Sequence, residues 1–160
     1  MKPAHYFILQ FGWFLLAWSV IARLFIVPAL QNWTLEDALA VWIAPHLFRV
    51  LGVGLLVPNL APGLPVEFAA TTAIGDSLTA VLALGSLVAL RQRWSKARTL
   101  VWGFNLIGSL DLTAAMIHAA WIQAATYLHA QWYVPALVVP LMIVAHVMVF
   151  RTLLRQRTVN

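Results

Sequence analysis

Residues 35–57 read LEDALAVWIAPHLFRVLGVGLLV, and the reading of this stretch decides how many times the chain crosses a membrane. It holds 23 mostly apolar residues. About 20 are enough to cross ~30 Å of hydrocarbon at ~1.5 Å per residue. Pro45 in its middle, with His46 and Arg49 just after, permits the opposite reading, a re-entrant or interfacial hairpin over 34–57. The flanks argue for a span. Thr34 followed by Glu36 and Asp37 has the form of a helix start, and PNLAPGLP at 58–65 has the form of a loop. The expectation is a full crossing, with four spans plus a re-entrant helix at 34–57 as the alternative.

Working outward, four more apolar stretches are long enough to span: Tyr6 to Leu30, Val66 to Leu90, Thr99 to about Thr126, and Pro135 to about Arg151. The expected fold class is therefore an all-α integral membrane protein, a compact bundle of five transmembrane helices forming one domain over 1–160. Composition agrees. The chain is 62% hydrophobic and 9% charged, with a mean hydropathy of +0.86, whereas about 25% of a soluble domain's residues are charged. A net charge of +5 raises the question of nucleic acid, but its placement answers it. Arg91, Arg93, Lys96 and Arg98 share one inter-helix loop, and Arg151, Arg155 and Arg157 share the C-terminus. That is the positive-inside distribution of a membrane protein, so no nucleic acid is expected as a partner, and the lipid bilayer is. Five spans put both basic segments on the cytoplasmic side, with the N-terminus outside. The four-span version puts both ends inside, which Lys2 favours. The absence of cysteine excludes disulfides and thiolate metal sites. The first apolar stretch lacks a small-residue cleavage site, so no cleavable signal peptide is expected.

Ionisable side chains at mid-depth cost ~2.5–3.5 kcal/mol each on insertion scales, which makes them functional or structural partners by default. Arg49, Asp76 and Asp111 are the clear cases, with His46 and Asn105 as polar companions. Counting uniform helical rise puts His46, Arg49, Asp76 and Asp111 within one to two turns of a common depth. Arg49 and Asp76 form the expected pair, because a short loop makes their spans neighbours and a guanidinium can hold a carboxylate bidentately. Thr72 and Thr79, at i−4 and i+3 from Asp76, are placed to add hydrogen bonds. Asp111 is then left without an obvious cation, either protonated or sharing His46. Gly52, Gly54, Gly75 and Gly108 allow close helix approach or leave room for a ligand. The plain alternative is that these polar groups only specify how the bundle packs.

The same residues carry a resemblance. His46-x-x-Arg49-x-x-Gly52, Leu64-Pro65-x-x-Phe68-Ala69, Gly75-Asp76 and Phe104-Asn105-x-x-Gly108-x-x-Asp111-Leu112 together resemble a pattern in small bacterial integral membrane proteins of unknown function. The likeness covers about residues 46–112. Comparable chains often carry Gln in place of His46 and Pro-Ala-Gly in place of Thr71-Thr72-Ala73. The resemblance implies that Arg49, Asp76, Asn105 and Asp111 belong to one constellation and that the membrane is the bacterial inner (cytoplasmic) membrane. It supplies no activity.

Other chemistry is less supported. His5, His118, His129 and Glu67 lie toward one face, but their spacing matches no metal-ligand motif. A haem would need two axial histidines, and His46 with His146 is the closest pair. No phosphate loop, nucleophile elbow or zinc-protease motif occurs. No metal and no cofactor is expected. Of eight tryptophans, Trp33, Trp94, Trp132 and Trp102 fall near span ends, while Trp13, Trp18, Trp42 and Trp121 lie deeper, as packing bulk or as walls of an apolar pocket.

Two functions follow as expectations. In the first, the chain is a small membrane-embedded enzyme acting on a lipophilic small molecule by isomerisation, cyclisation or hydration. Asp111, with His46 and Asp76, is then catalytic, and Arg49, Asn105, Thr72, His118 and Trp121 contact substrate. In the second, it is non-catalytic: a ligand carrier, a transporter component or a subunit of a membrane complex. A chain this short would need to form a homo-oligomer to act as a transporter.

Overall fold

The computed structural model describes residues 3–57 and 59–155. Lys2, Pro58 and Arg157, which entered the topology argument, lie outside the described residues. All regular elements among the described residues are helical. Five helices are long and apolar enough to cross a membrane: α1 Pro3–Ala29, α2 Leu35–Leu56, α3 Val66–Arg91, α4 Ala97–Trp121 and α5 His129–Arg155. The stretch 35–56 therefore forms one continuous helix of span length and not a hairpin.

Prolines shape the details. Pro28 has no N–H to donate into the helix ladder, and just before it α1 widens over Ala22–Ile26, where the Val27 N–H reaches back to the Ala22 carbonyl. A second wide turn, Val134–Val138, includes Pro135 and precedes Pro140. The largest effect is in α2. Its first nine residues, Leu35–Ile43, are α-helical and capped by Thr34, whose Oγ1 accepts from the Asp37 N–H at 3.1 Å. From Ala44 to Leu56 the helix tightens to a 3-10 form. With three residues per turn, every third side chain lies on one line. Ile43, His46, Arg49 and Gly52 are accordingly all buried.

Two helix ends differ from the sequence expectation. α4 stops at Trp121 instead of near Thr126, because Gln123 takes a left-handed conformation (φ 55°) that breaks the ladder. α5 begins at His129 and runs to Arg155, because Pro135 is accommodated in its wide turn and does not open the helix.

Packing follows the polar and small residues. α3 lies along α2 and α4, and α5 closes the bundle against α1, α2 and α4. The largest core cluster, with Leu39, Trp42, Ile43, Leu90, Val101, Phe104 and Val149, fills the end that carries residues 34–37 and 91–98. A smaller cluster, with Leu64, Phe68, Ala69 and Ala124, fills the opposite end. A polar layer separates them. At the first end, Arg91 pairs with Asp37 (3.4 Å) and Arg98 with Glu36 (3.1 Å), tying the start of α2 to the basic loop.

Candidate functional site

The polar layer is built on Arg49, whose side chain is 2% exposed. A guanidinium has five N–H bonds on three nitrogens, and each of the three nitrogens donates a hydrogen bond here. Nε donates to Oδ1 of Asp76 at 2.8 Å, and Nη2 forms an ion pair with the same oxygen at 2.7 Å. Nη2 also donates to Oδ2 of Asp111, at 2.5 Å. Nη1 donates to the Gly108 carbonyl at 3.1 Å and meets Nε2 of His146 at 3.5 Å. One cation thus ties α2 to α3, α4 and α5.

Glycines make this reach possible. A Cβ on Gly52 would run into the Asp76 carboxylate, and one on Gly75 into the Asp111 carboxylate. A Cβ on Gly108 would meet Cγ2 of Thr79 at 2.7 Å and the His146 ring at 2.8 Å. Each polar side chain is seated on a glycine of the preceding helix: Asp76 of α3 on α2, Asp111 of α4 on α3, His146 of α5 on α4. Of the two roles open to these glycines, close approach is the one found. Gly54 of α2 is likewise in close contact, here with the Gln131 side-chain amide of α5.

The expected Arg49–Asp76 pair forms, but Asp111 is not left without a cation, since it shares the same guanidinium. Nor does His46 serve it. His46 is fully buried against the rings of Phe104 and His146, with centroids at 5.0 and 4.1 Å, and neither ring nitrogen has a hydrogen-bond partner among the described residues. Its displacement from Arg49 follows from the 3-10 geometry, which adds ~0.5 Å of rise per residue over the α-helix used in counting depth. The two imidazoles touch each other and so do not face across a gap as axial ligands would.

Asn105, expected at the substrate, is fully buried and engaged with His146. Thr79 donates to the Gly75 carbonyl at 2.9 Å and not to Asp76, and half-buried Thr72 makes no bond to that carboxylate. His118 lies about two turns of α4 from Asp111, against Phe68 with centroids 5.1 Å apart. Trp121 is 84% exposed at the end of α4. Neither joins the centre. Among the described residues, no group of three or more His or acidic side chains is placed to hold a metal. Beside Arg49 and Asp76 lies a recess of about 30 Å³, walled by Phe48, Leu51, Gly52, Leu112 and residues of α5. No tryptophan lines it.

His146 is the participant that sequence reasoning did not include. The signal was there, since His146 and Asn105 are isolated polar residues in apolar helices at matching depth, but their pairing depends on which helices are neighbours.

No curated protein and no solved structure matches the chain. The model of one family, Domain of unknown function (DUF8737), matches residues 6–154. That range takes in α2, α3 and α4 whole, nearly all of α1 and α5, and every residue of the centre, and the chain belongs to this family.

Proposed function

We propose that the chain is a small membrane-embedded enzyme that acts on a lipophilic small molecule by acid–base chemistry at the Asp76–Arg49–Asp111 centre. The observation that supports this most is an asymmetry of burial. The guanidinium is 2% exposed, while the Asp76 and Asp111 side chains keep 17% and 23%. A latch made only for packing has no need of an open edge on either carboxylate. Two carboxylates on one guanidinium carry one net negative charge, so uptake of a single proton leaves the centre neutral with Arg49 still paired. Asp111, the more open of the two, is the proton donor and acceptor, and Asp76 keeps the cation paired throughout. A proton given to one atom of the substrate and recovered from another suits isomerisation or cyclisation, and a water in the recess, which has room for about one, suits hydration. A substrate reaches the open edge of Asp76 from the side where Phe48 and Leu51 are exposed beside the recess.

The test compares lipid extracts of cells making the wild type or Asp111→Asn, by mass spectrometry, with folding of both checked in detergent. A lipophilic compound converted by the wild type and not by folded Asp111→Asn supports the reading. Identical extracts sink it.

One observation favours the second reading, a non-catalytic subunit of a membrane complex or homo-oligomer. Only 6% of the apolar stretch of α1 is fully buried, and its exposed face, with Ile8, Leu9, Trp13 and Leu16, is available to a neighbour. Native mass spectrometry from mild detergent separates the two, since a monomer that converts a compound excludes the subunit reading.

The same proposal sets the protein in the bacterial cytoplasmic membrane with the N-terminus outside and the C-terminus inside, on the strength of the basic loop 91–98. Because the chain has no cysteine, single cysteines report topology without background. Asn59→Cys is expected to react with an impermeant thiol reagent in intact cells and Ser95→Cys to be protected. The reverse pattern inverts the topology.

A further inference from the structure

We infer that Asn105 and His146 are positioning residues for Arg49, forming a relay that starts on the α5 backbone and ends at the guanidinium. The one group in the relay whose role cannot change is a backbone carbonyl. The Asn105 Nδ2 donates to the His146 carbonyl at 3.2 Å, which fixes which end of the amide is nitrogen. Its Oδ1 therefore faces Nδ1 of His146, at 2.7 Å. An amide oxygen only accepts, so Nδ1 carries the proton. A neutral ring then has a bare Nε2, and that lone pair meets Nη1 of Arg49 at 3.5 Å. With the proton on Nε2 instead, two N–H groups would oppose each other and the guanidinium would lose an acceptor.

The surroundings hold the ring in this pose. Phe104 stacks on it with centroids 5.6 Å apart and planes at 29°. His46 packs against it at 4.1 Å, and Gly108 leaves the space its edge occupies. The relay therefore sets the rotation of the guanidinium about its long axis, and so which oxygens of Asp76 and Asp111 it holds. His146 acts here as an acceptor and not as a proton carrier.

The test needs no substrate, so its failure is distinct from failure of the acid–base reading. The wild type is labelled with 15N in histidine and arginine side chains, and the His146 ring signals are assigned from its backbone by NMR in detergent. A proton on Nδ1 with a bare Nε2 is the expected result, and a proton on Nε2, alone or with Nδ1, overturns the relay. In Asn105→Leu, which removes the amide at similar volume, the ring proton is expected to leave Nδ1 and the Arg49 guanidinium protons to exchange with solvent on the order of tenfold faster. Unchanged exchange in folded Asn105→Leu overturns the positioning role. Should that variant fail to fold, the wild-type tautomer alone still decides.

Discussion

α1 and α3 span 27 and 26 residues and share a hydropathy of 1.8, yet 6% of the apolar stretch of α1 is buried against 33% of that of α3. Hydropathy reports whether a helix can lie in lipid and says nothing about what it touches there, since lipid tails are as apolar as leucine. What separates the two helices is the kind of residue between the apolar ones. α3 carries Gly75, Asp76 and Thr79, which bring α2 and α4 to within glycine contact distance. α1 carries Gly12, which has nothing within 4 Å. It is attached to α5 mainly through amphipathic side chains: Trp18 donates to the Leu137 carbonyl at 3.2 Å, and Gln10 accepts from Trp132 at 2.6 Å.

The largest effect that tests this contrast is expected at Arg49. Arg49→Leu strands two carboxylates in the membrane layer, and removing one partner of a buried charge pair costs about 3–5 kcal/mol. Thermal unfolding in detergent is expected to show a variant that barely folds. Arg49→Lys is expected to rescue little, because an ammonium has three donors and no planar fork to meet acceptors on three helices. A well-folded Arg49→Leu would mean that α3 is held by apolar packing alone, as α1 could be.

Next in size is Gly75→Ala. The added methyl collides with the Asp111 carboxylate, and forcing a well-packed contact apart costs about 1–3 kcal/mol. Gly52→Ala is expected to behave alike through Asp76. For α1, Trp18→Phe and Gln10→Leu each remove one hydrogen bond, worth about 0.5–1.5 kcal/mol. Their signature is local. Protease or hydrogen-exchange protection of α1 is expected to fall while that of α2–α5 stays. Loss of protection in α3 as well would show that α1 is part of the cooperative core.

Much of this was legible in the sequence, and the rest failed for identifiable reasons. Five apolar stretches, the Thr34 helix start and the Arg49–Asp76 pair all follow from length, capping and loop length, which are local quantities. Asp111 joining the same guanidinium did not follow, because it depends on α4 packing beside α3 at a depth that one residue of 3-10 or α rise can shift. The 3-10 run in α2 had a visible cue: His46, Arg49 and Gly52 are spaced by three, which lines up in a 3-10 helix and drifts around an α-helix. Pro45 permits a hairpin on sequence grounds, but in the folded chain it sits where the helix type changes. His146 stood out as an isolated polar residue, but its bond to Asn105, 41 positions away, depends on α4 and α5 being neighbours.

The smallest expected effect is the sharpest test, because it is set within one helix. Gly85 lies in α3, ten residues from Gly75, and a Cβ there meets nothing within 4 Å, as at Gly12 of α1. If placement in α3 were what makes a glycine matter, Gly85→Ala would be as harmful as Gly75→Ala. If contact with a carboxylate is what matters, Gly85→Ala and Gly12→Ala should match each other and stabilise slightly, by up to about 0.5–1 kcal/mol, since alanine is the better helix former. Unfolding midpoints of the three single variants, measured side by side in one detergent, decide between these. A destabilised Gly85→Ala would show a neighbour at that face, and so a second copy or another chain packed on α3 where the monomer presents only lipid-facing surface.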